Sequence, residues 1–454
     1  METFKKAMNE SAWVRWSVLI LVGFILSVNY YFYDAFSTLK DLLKAEFDFT
    51  NTDYGLFVSF YSIPNTFLLM AVFGGMILDK FGIRRTGFGF VFFMAFGALL
   101  TAYGASAYYG AGGFGHAFMK GFWPSYSPEL KMMLLGRFFF GLGAETSIVV
   151  VSKILVKWFK GKDLALAFGL KVGFGRLGTF AALRISPALA DEGTHLTTAI
   201  WFAAVLVLSG LLAFMVYMLL DAKLDKQTGF SQKASSSASE FSFKDFVSII
   251  SNRAYIYIAL LCVTFYSAVF PFMAYAPDFF ADKFGLSAVE SGNITSWLPL
   301  GTMLFTPLFG FLIDRYGKSA TAMIFGALTL VSVHLIFAFT TLTPIIPLLF
   351  LGIAFSLVPA AMWPSMVRLV KEKQIGTAYG LMYSIQNLGL WGFPLLAGIL
   401  LDKTNPGNPL ILNYTPVILM FAGLGILGLF FAFMLKREDV KNHFGIELPL
   451  NKKQ

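Results

Sequence analysis

The chain has 454 residues, 57% of them hydrophobic and only 13% charged, with a formal net charge of +9. A soluble domain carries about 25% charged residues, and no protein core absorbs such an apolar excess, so the composition excludes a soluble globular protein and requires a bilayer as solvent. The positive charge does not point to nucleic acid, because the basic residues are scattered over short loops, and the single cysteine, Cys262, excludes an intramolecular disulfide and a cysteine-based metal site.

Lys5 and Lys6 precede a first apolar run that continues to about Tyr33 without a small-residue cleavage site. It reads as a retained helix rather than a signal peptide. Twelve runs are long enough to cross about 30 Å of hydrocarbon at about 1.5 Å per residue. They cover 13–36, 54–77, 86–107, 132–153, 164–189, 198–220, 254–279, 293–313, 319–341, 346–366, 377–400 and 413–435. The stretch 108–130 is rich in glycine and aromatics and reads as an irregular loop. Residues 231–239 are rich in Ser and Ala, which suits a flexible linker, and 240–250 fits a short surface helix.

An even number of spans puts both termini on one side. Placing them inside biases the loop lysines and arginines roughly four to one toward that side, so both termini are expected to be cytoplasmic. The expected organisation is an N-terminal six-helix bundle over 1–220, a cytoplasmic linker over 221–253, a C-terminal six-helix bundle over 254–435 and a cytoplasmic tail over 436–454.

Two internal repeats support duplication. Gly75, Asp79 and Gly82, with Lys80, Arg84 and Arg85, are echoed by Gly310, Asp314 and Gly317, with Arg315 and Lys318. In the fifth and eleventh spans, Phe168-Gly169-Leu170-Lys171 and Arg176-Leu177-Gly178 align with Tyr379-Gly380-Leu381-Met382 and Asn387-Leu388-Gly389. Parallel halves of this kind are a transporter architecture.

Charge inside a bilayer needs a partner or a water-filled cavity, so deep charges mark candidate sites. Glu145 and Lys171 each lie about 8 residues, roughly 12 Å, from the cytoplasmic ends of their spans, and Arg176 is roughly 20 Å deep. Lys171 and Arg176 are about 140° apart around their helix and cannot serve one spot, which leaves Arg176 and Glu145 as the primary pair. Two readings stand: Arg176 meets a substrate carboxylate and Glu145 its ammonium, or the two form a structural ion pair. Arg137 reads mainly as structural, and Arg184 as reaching the outer interface or its vestibule. Asp34 either meets a substrate amine or pairs with Arg184. Gly141, Gly143, Gly169, Gly173, Gly175 and Gly178 around the site serve close packing or bending.

The C-terminal spans carry almost no deep charge. They offer Tyr266, Tyr275, Trp363, Tyr379, Tyr383, Gln386 and Asn387, which either line a pocket for variable side chains or simply pack. Asn387 stands where the repeat has Arg176. Pro271 and Pro364 are candidate bends, and His334 reads as a packed histidine.

The twelve spans, the central link and the doubled G-x-x-x-D-[RK]-x-G pattern resemble the major facilitator superfamily. That resemblance implies an all-α membrane protein of twelve transmembrane helices in two pseudo-symmetric six-helix bundles, with alternating access to a site between the halves. It also implies that Asp79, Arg84, Asp314 and Arg315 gate access. The segments 136–145, 158–162, 176–178, 268–272 and 376–389 are further similar to the branch of the animal lysosomal dipeptide uniporters. Membership there implies dipeptide transport, with Glu145 and Arg176 in the substrate site. Lys171 departs from that branch, and neither tail carries an acidic dileucine signal, which favours a bacterial inner membrane over a lysosomal one.

The expected function is transport of small zwitterionic solutes such as dipeptides, with Glu145, Arg176, Lys171, Tyr266, Trp363, Tyr383, Gln386, Asn387 and Asp34 as substrate-binding candidates. Glu145 is the one deep carboxylate, and an arginine partner keeps it ionised, which leans toward uniport. The alternative is an organic-anion or drug transporter, with or without proton coupling, that uses Lys171 and Arg176. A non-transporting sensor or scaffold ranks lower, since no extramembrane domain is visible. No nucleophile–base pair or metal-ligand cluster suggests an enzyme. No cofactor or metal is expected. The expected partners are a small-molecule substrate and the lipid bilayer, with no nucleic acid, for a monomeric chain.

Overall fold

The computed structural model describes residues 8–190, 196–228, 243–407 and 409–449. The serine-rich stretch 231–239 and the ends of both termini lie outside the described residues. The helices run in chain order as α1 Ala12–Asp34, α2 Lys40–Phe47, α3 Asn51–Phe60, α4 Ile63–Phe67, α5 Met70–Gly104, α6 Ala107–Gly110, α7 His116–Lys120, α8 Pro128–Phe159 and α9 Leu164–Ala190. They continue as α10 Leu196–Thr228, α11 Phe243–Ile250, α12 Arg253–Phe284, α13 Ala288–Thr295, α14 Trp297–Tyr316, α15 Ser319–Phe339, α16 Ile345–Val367, α17 Ile375–Thr404 and α18 Thr415–Asn442. No strand occurs among the described residues.

Eleven helical stretches among the described residues are long and apolar enough to cross a membrane. Met70–Gly104 counts as one of these stretches although it holds two helices, which meet at Gly82. Pro64 lacks the N–H that would bond back to Phe60, so the helix breaks there into α3 and α4. Leu69 then takes φ 50° before α5 begins. Within Met70–Gly104 the helix is interrupted at Gly82, whose φ of 78° and ψ of 171° are non-helical and carry no Cβ penalty there, so the residues of the second and third expected spans lie in separate helices on either side of it. Likewise Pro299 removes the donor that would reach Thr295, and α13 gives way to α14 at that point. The loop 108–130 is more ordered than expected. It holds α6 and α7 over a small core of Tyr109, Met119 and Met132, and Lys131 donates to the carbonyls of Phe122 (2.6 Å) and Trp123 (3.1 Å).

Contacts divide the chain into two compact units. The first comprises Met1–Ala35, Met70–Ala182 and Thr197–Ala238; the second comprises Phe36–Leu69, Leu183–Leu196 and Ser239–Gln454. In the first unit, α5 and α8 meet backbone to backbone. A Cβ on Gly97, Gly136 or Gly143 would overlap main-chain atoms of the facing helix, the small-residue packing that membrane helices use in place of hydrophobic collapse. In the second unit, α12, α15 and α18 pack around Phe272, Phe280 and Phe421, with His334 buried among them and its Nδ1 2.8 Å from the Leu330 carbonyl. Leu219, Leu304, Phe325 and Phe430 lie exposed on their helices, a pattern that suits lipid rather than water.

Candidate functional site

In the first unit, α1 and α9 are pressed together. A Cβ at Gly178 would overlap the Ser27 carbonyl oxygen, and one at Gly175 would sit 3.0 Å from the Tyr30 ring. Ser27 donates its hydroxyl to the Phe174 carbonyl at 2.7 Å. This close crossing aligns Tyr30 and Asp34, one turn apart on α1, with Gly175, Arg176 and Thr179 on α9.

Arg176 places its guanidinium 5.9 Å from the Tyr30 ring centre. Thr179 donates to Asp34 at 2.6 Å. Glu145, on α8, acts electrostatically on both Tyr30 and Tyr33, and Asp34 lies in the fields of Arg176 and Arg137. Thus Glu145, Arg176 and Asp34 gather around two α1 tyrosines. Glu145 and Arg176 are half-buried and Asp34 is buried. Arg137 is buried with its guanidinium over Tyr33 (5.4 Å) and Phe140 (5.9 Å), so it braces one of these tyrosines.

Lys171 takes a separate direction. Its Nζ donates to Ser152 at 2.6 Å and lies 5.7 Å from the Phe168 ring. Arg184, beyond the first unit, donates to Ser296 at 3.0 Å.

The second unit gathers the aromatic candidates. Trp363 stacks on Tyr383 at 4.5 Å and on Tyr379 at 5.8 Å, and its Nε1 donates to the Tyr266 hydroxyl at 3.0 Å. Tyr266 stacks in turn on Phe270 at 5.7 Å. Asn387 donates to the Tyr383 carbonyl at 3.0 Å, while its Oδ1 and the Oε1 of Gln386 are buried without a donor. A buried amide oxygen without a donor costs free energy, and a ligand N–H or an ordered water would satisfy it.

The repeated loops are anchored differently. In the first copy, Asp79 pairs with Lys153 at 2.5 Å, and Arg84 pairs with Asp225 at 3.1 Å beside Lys157, which bridges Asp221 and Asp225 at 2.7 Å each. In the second, Asp314 and Arg315 are exposed, and Arg315 rests 5.4 Å from its neighbour Tyr316. There the chain's end takes over: Lys318 N–H donates to the Glu447 carbonyl at 2.9 Å, and Arg368 donates to the carbonyls of Leu448 and Pro449. The second glycine of each copy has positive φ, 78° at Gly82 and 71° at Gly317, which explains that position. The first glycines, Gly75 and Gly310, face open space, so close helix approach does not account for them here.

Lys40, Asp41 and Asp278 are absent from the residues that the sequence reading singles out. Lys40 sits in a polar stretch that reads as loop, yet its side chain is fully buried against Asp278, a buried carboxylate at the end of the span read over 254–279. The signal that was available is Asp278 itself, a carboxylate closing an apolar run.

A family model of the Major Facilitator Superfamily matches residues 19–390 and 267–447. The chain is 32% identical over 401 residues to the lysosomal dipeptide transporter MFSD1 of Homo sapiens, covering 86% of this chain and 80% of the relative. It is 32% identical over 396 residues to that of Danio rerio, covering 85% and 80%. The nitrite extrusion protein of Bacillus subtilis (strain 168) is 24% identical over 292 residues, covering 62% and 68%. Among solved structures, a bacterial homolog of the human lysosomal transporter Spinster, inward-facing and occupied, superposes with a TM-score of 0.69 at 14% identity, covering 95% of this chain and 99% of that one. The nucleoside transporter NupG gives 0.67 at 15% identity, covering 92% and 99%; at such identity both show the fold alone. With a family model running through both halves and relatives above 30% identity over most of its length, the chain belongs to the major facilitator superfamily of membrane transporters.

Proposed function

We propose that this transporter carries dipeptides by alternating access, as a uniporter, and that Arg176 and Glu145 receive the two peptide termini. The observation that carries this reading is the gathering of Arg176, Glu145 and Asp34 around Tyr30 in a membrane helix cluster. A zwitterion needs one group of each sign. Arg176 offers a planar fork for the carboxylate, and Glu145 an acceptor for the ammonium. Half-burial keeps both charges strong without sealing them from a ligand. Relatives named as lysosomal dipeptide transporters support the substrate class.

Asp34 adds a polar contact beside Arg176 and Glu145; Lys171, which points to Ser152 instead, and Tyr266, Trp363, Tyr383, Gln386 and Asn387 of the second unit are further substrate-binding candidates. Asp79, Arg84, Asp314 and Arg315 act in gating. The loop-charge bias supports cytoplasmic termini, in a bacterial inner membrane. The expected result is uptake of a free dipeptide into proteoliposomes without net proton movement, with a thermal shift on binding. If a dipeptide with a blocked amino terminus binds as well as the free one, the anion-transporter reading replaces this one.

A further inference from the structure

Within the second unit, one contact joins segments more than two hundred residues apart. Lys40, at the start of α2, forms an ion pair with Asp278 of α12, and their side chains are 0% and 3% exposed. The Tyr414 hydroxyl, just before α18, bonds both the Lys40 ammonium, at 2.9 Å, and the Asp278 carboxylate. The ammonium lies 5.4 Å from the Tyr414 ring centre, 5.7 Å from that of Tyr275 and 6.0 Å from that of Tyr54. Tyr54 donates to the Ala274 carbonyl and Tyr275 to the Pro394 carbonyl, which fixes the cage.

A second fastening lies nearby. Asp402 of α17 accepts from the backbone N–H and side chain of both Asn51 and Thr52, at 2.5 to 3.1 Å. Gly398 and Gly55 bring the backbones of α3 and α17 into direct contact around it. Both fastenings tie 40–55, from the N-terminal half of the chain, to α12, α17 and α18 of the C-terminal half.

We infer that Lys40 and Asp278, caged by the three tyrosines, are the clasp that keeps this face of the transporter closed, and that opening the face requires their separation. A carrier with alternating access must break such cross-chain contacts in every cycle, so their energy has to stay near balance. A buried ion pair meets that condition. Its Coulomb attraction, cation–π contacts and tyrosine bond roughly offset the loss of hydration, and separated ions regain that hydration. An apolar contact of the same size has no such compensation on opening. The surrounding aromatic cage also excludes water while the pair is closed, which makes the contact all-or-none.

The pair therefore has an unusual mutational signature. Removing one partner leaves an uncompensated buried charge and drives the clasp open, by about a hundredfold or more in the closed–open ratio. Replacing both with apolar residues of similar volume removes the desolvation cost and holds the clasp shut.

A reporter that needs no substrate tests this. Ser37, three residues before Lys40, is buried, so a Ser37→Cys protein in lipid nanodiscs reads the face by its maleimide labelling rate at fixed pH. The native Cys262 is fully buried and provides the blank. Asp278→Asn is expected to raise the labelling rate at least tenfold, and the double variant Lys40→Met with Asp278→Leu is expected to lower it below the parent's. A folded Asp278→Asn protein that labels at the parent's rate overturns the clasp. So does a double variant that labels as fast as, or faster than, the parent, and this second arm decides the matter alone if Asp278→Asn does not fold.

Discussion

Two groups of opposite charges lie inside this protein, and they differ in how far they are enclosed. Lys40 and Asp278 are sealed from solvent, with three tyrosines around the ammonium. Glu145 and Arg176 are only half-buried and lie against the rings of α1. Both arrangements pair charge with aromatic faces, which hold a cation without a fixed hydrogen-bond geometry. The sealed pair has no room for a ligand and can only make or break. The half-buried group retains surface that a substrate can reach. On the reading proposed above, degree of enclosure, more than residue type, separates a closing contact from a binding one.

The sharpest way to break that comparison is Arg176→Ala. Losing a charged fork that meets a carboxylate is expected to lower kcat/KM for dipeptide uptake at least a hundredfold, about 3 kcal/mol, at equal protein level in proteoliposomes. Arg176→Lys keeps the charge and loses the bidentate geometry, so it is expected to recover only part of the rate. Uptake that survives Arg176→Ala would place the arginine among the structural groups.

Next in size is the crossing that positions the cluster. Gly178→Ala drives a Cβ into the Ser27 carbonyl, where backbone rather than a flexible side chain must yield. Overpacking of this kind costs about 1–3 kcal/mol, and the expected readout is a lowered Tm together with weakened dipeptide binding, because Tyr30 moves with Ser27. Gly169→Ala meets open space and is the control that should leave both unchanged.

The aromatic cluster of the second unit calls for a gentler change. Trp363→Phe retains an aromatic face against Tyr379 and Tyr383 and removes the Nε1 bond to Tyr266. We expect a few-fold change in KM that depends on the dipeptide's side chain, with kcat nearly preserved. A uniform loss for every dipeptide would show that the cluster supports packing rather than recognition.

How much of this was legible beforehand follows from the range of the interactions involved. Apolar runs and their lengths are local, so the spans could be read, and Arg176 and Glu145 stand out because charge is rare in such runs. The break at Pro64 was also written locally, but a hydropathy window averages over it. Burial of Lys40 arises from residues at 278 and 414, and a polar stretch such as 40–48 gives no local sign of it. The two repeated loops look alike in sequence and differ in structure, because the second is held by residues 447–449 at the far end of the chain.

The smallest expected effect concerns Asp41, at the rim of the sealed pair. It keeps a face in water, yet enclosure of its carboxyl pushes its pKa up to about 8, reinforced by the Asp278 charge beside it and by a bond to Asp278 that exists only when Asp41 carries a proton. Lys40 and Lys44 oppose that rise and Asp282 adds to it. The Oδ1 of Asp278 is buried without another donor, so this proton has a defined acceptor. In an open, hydrated state the carboxyl returns to about 4. The sign follows from linkage: a carboxyl whose pKa is raised in the closed state favours closure most fully below about pH 4, and that advantage falls away as pH climbs through about 8. The limiting slope is about tenfold per pH unit, but the water-exposed face screens Asp41, so a few-fold opening between pH 5 and 9 is expected. The labelling rate at position 37 in the Asp41→Asn protein, divided by the parent's at each pH, cancels the thiol's own titration. That ratio is expected to fall as pH rises, because Asn keeps the neutral, hydrogen-bonding form at every pH; a flat ratio would confine Asp41 to the surface.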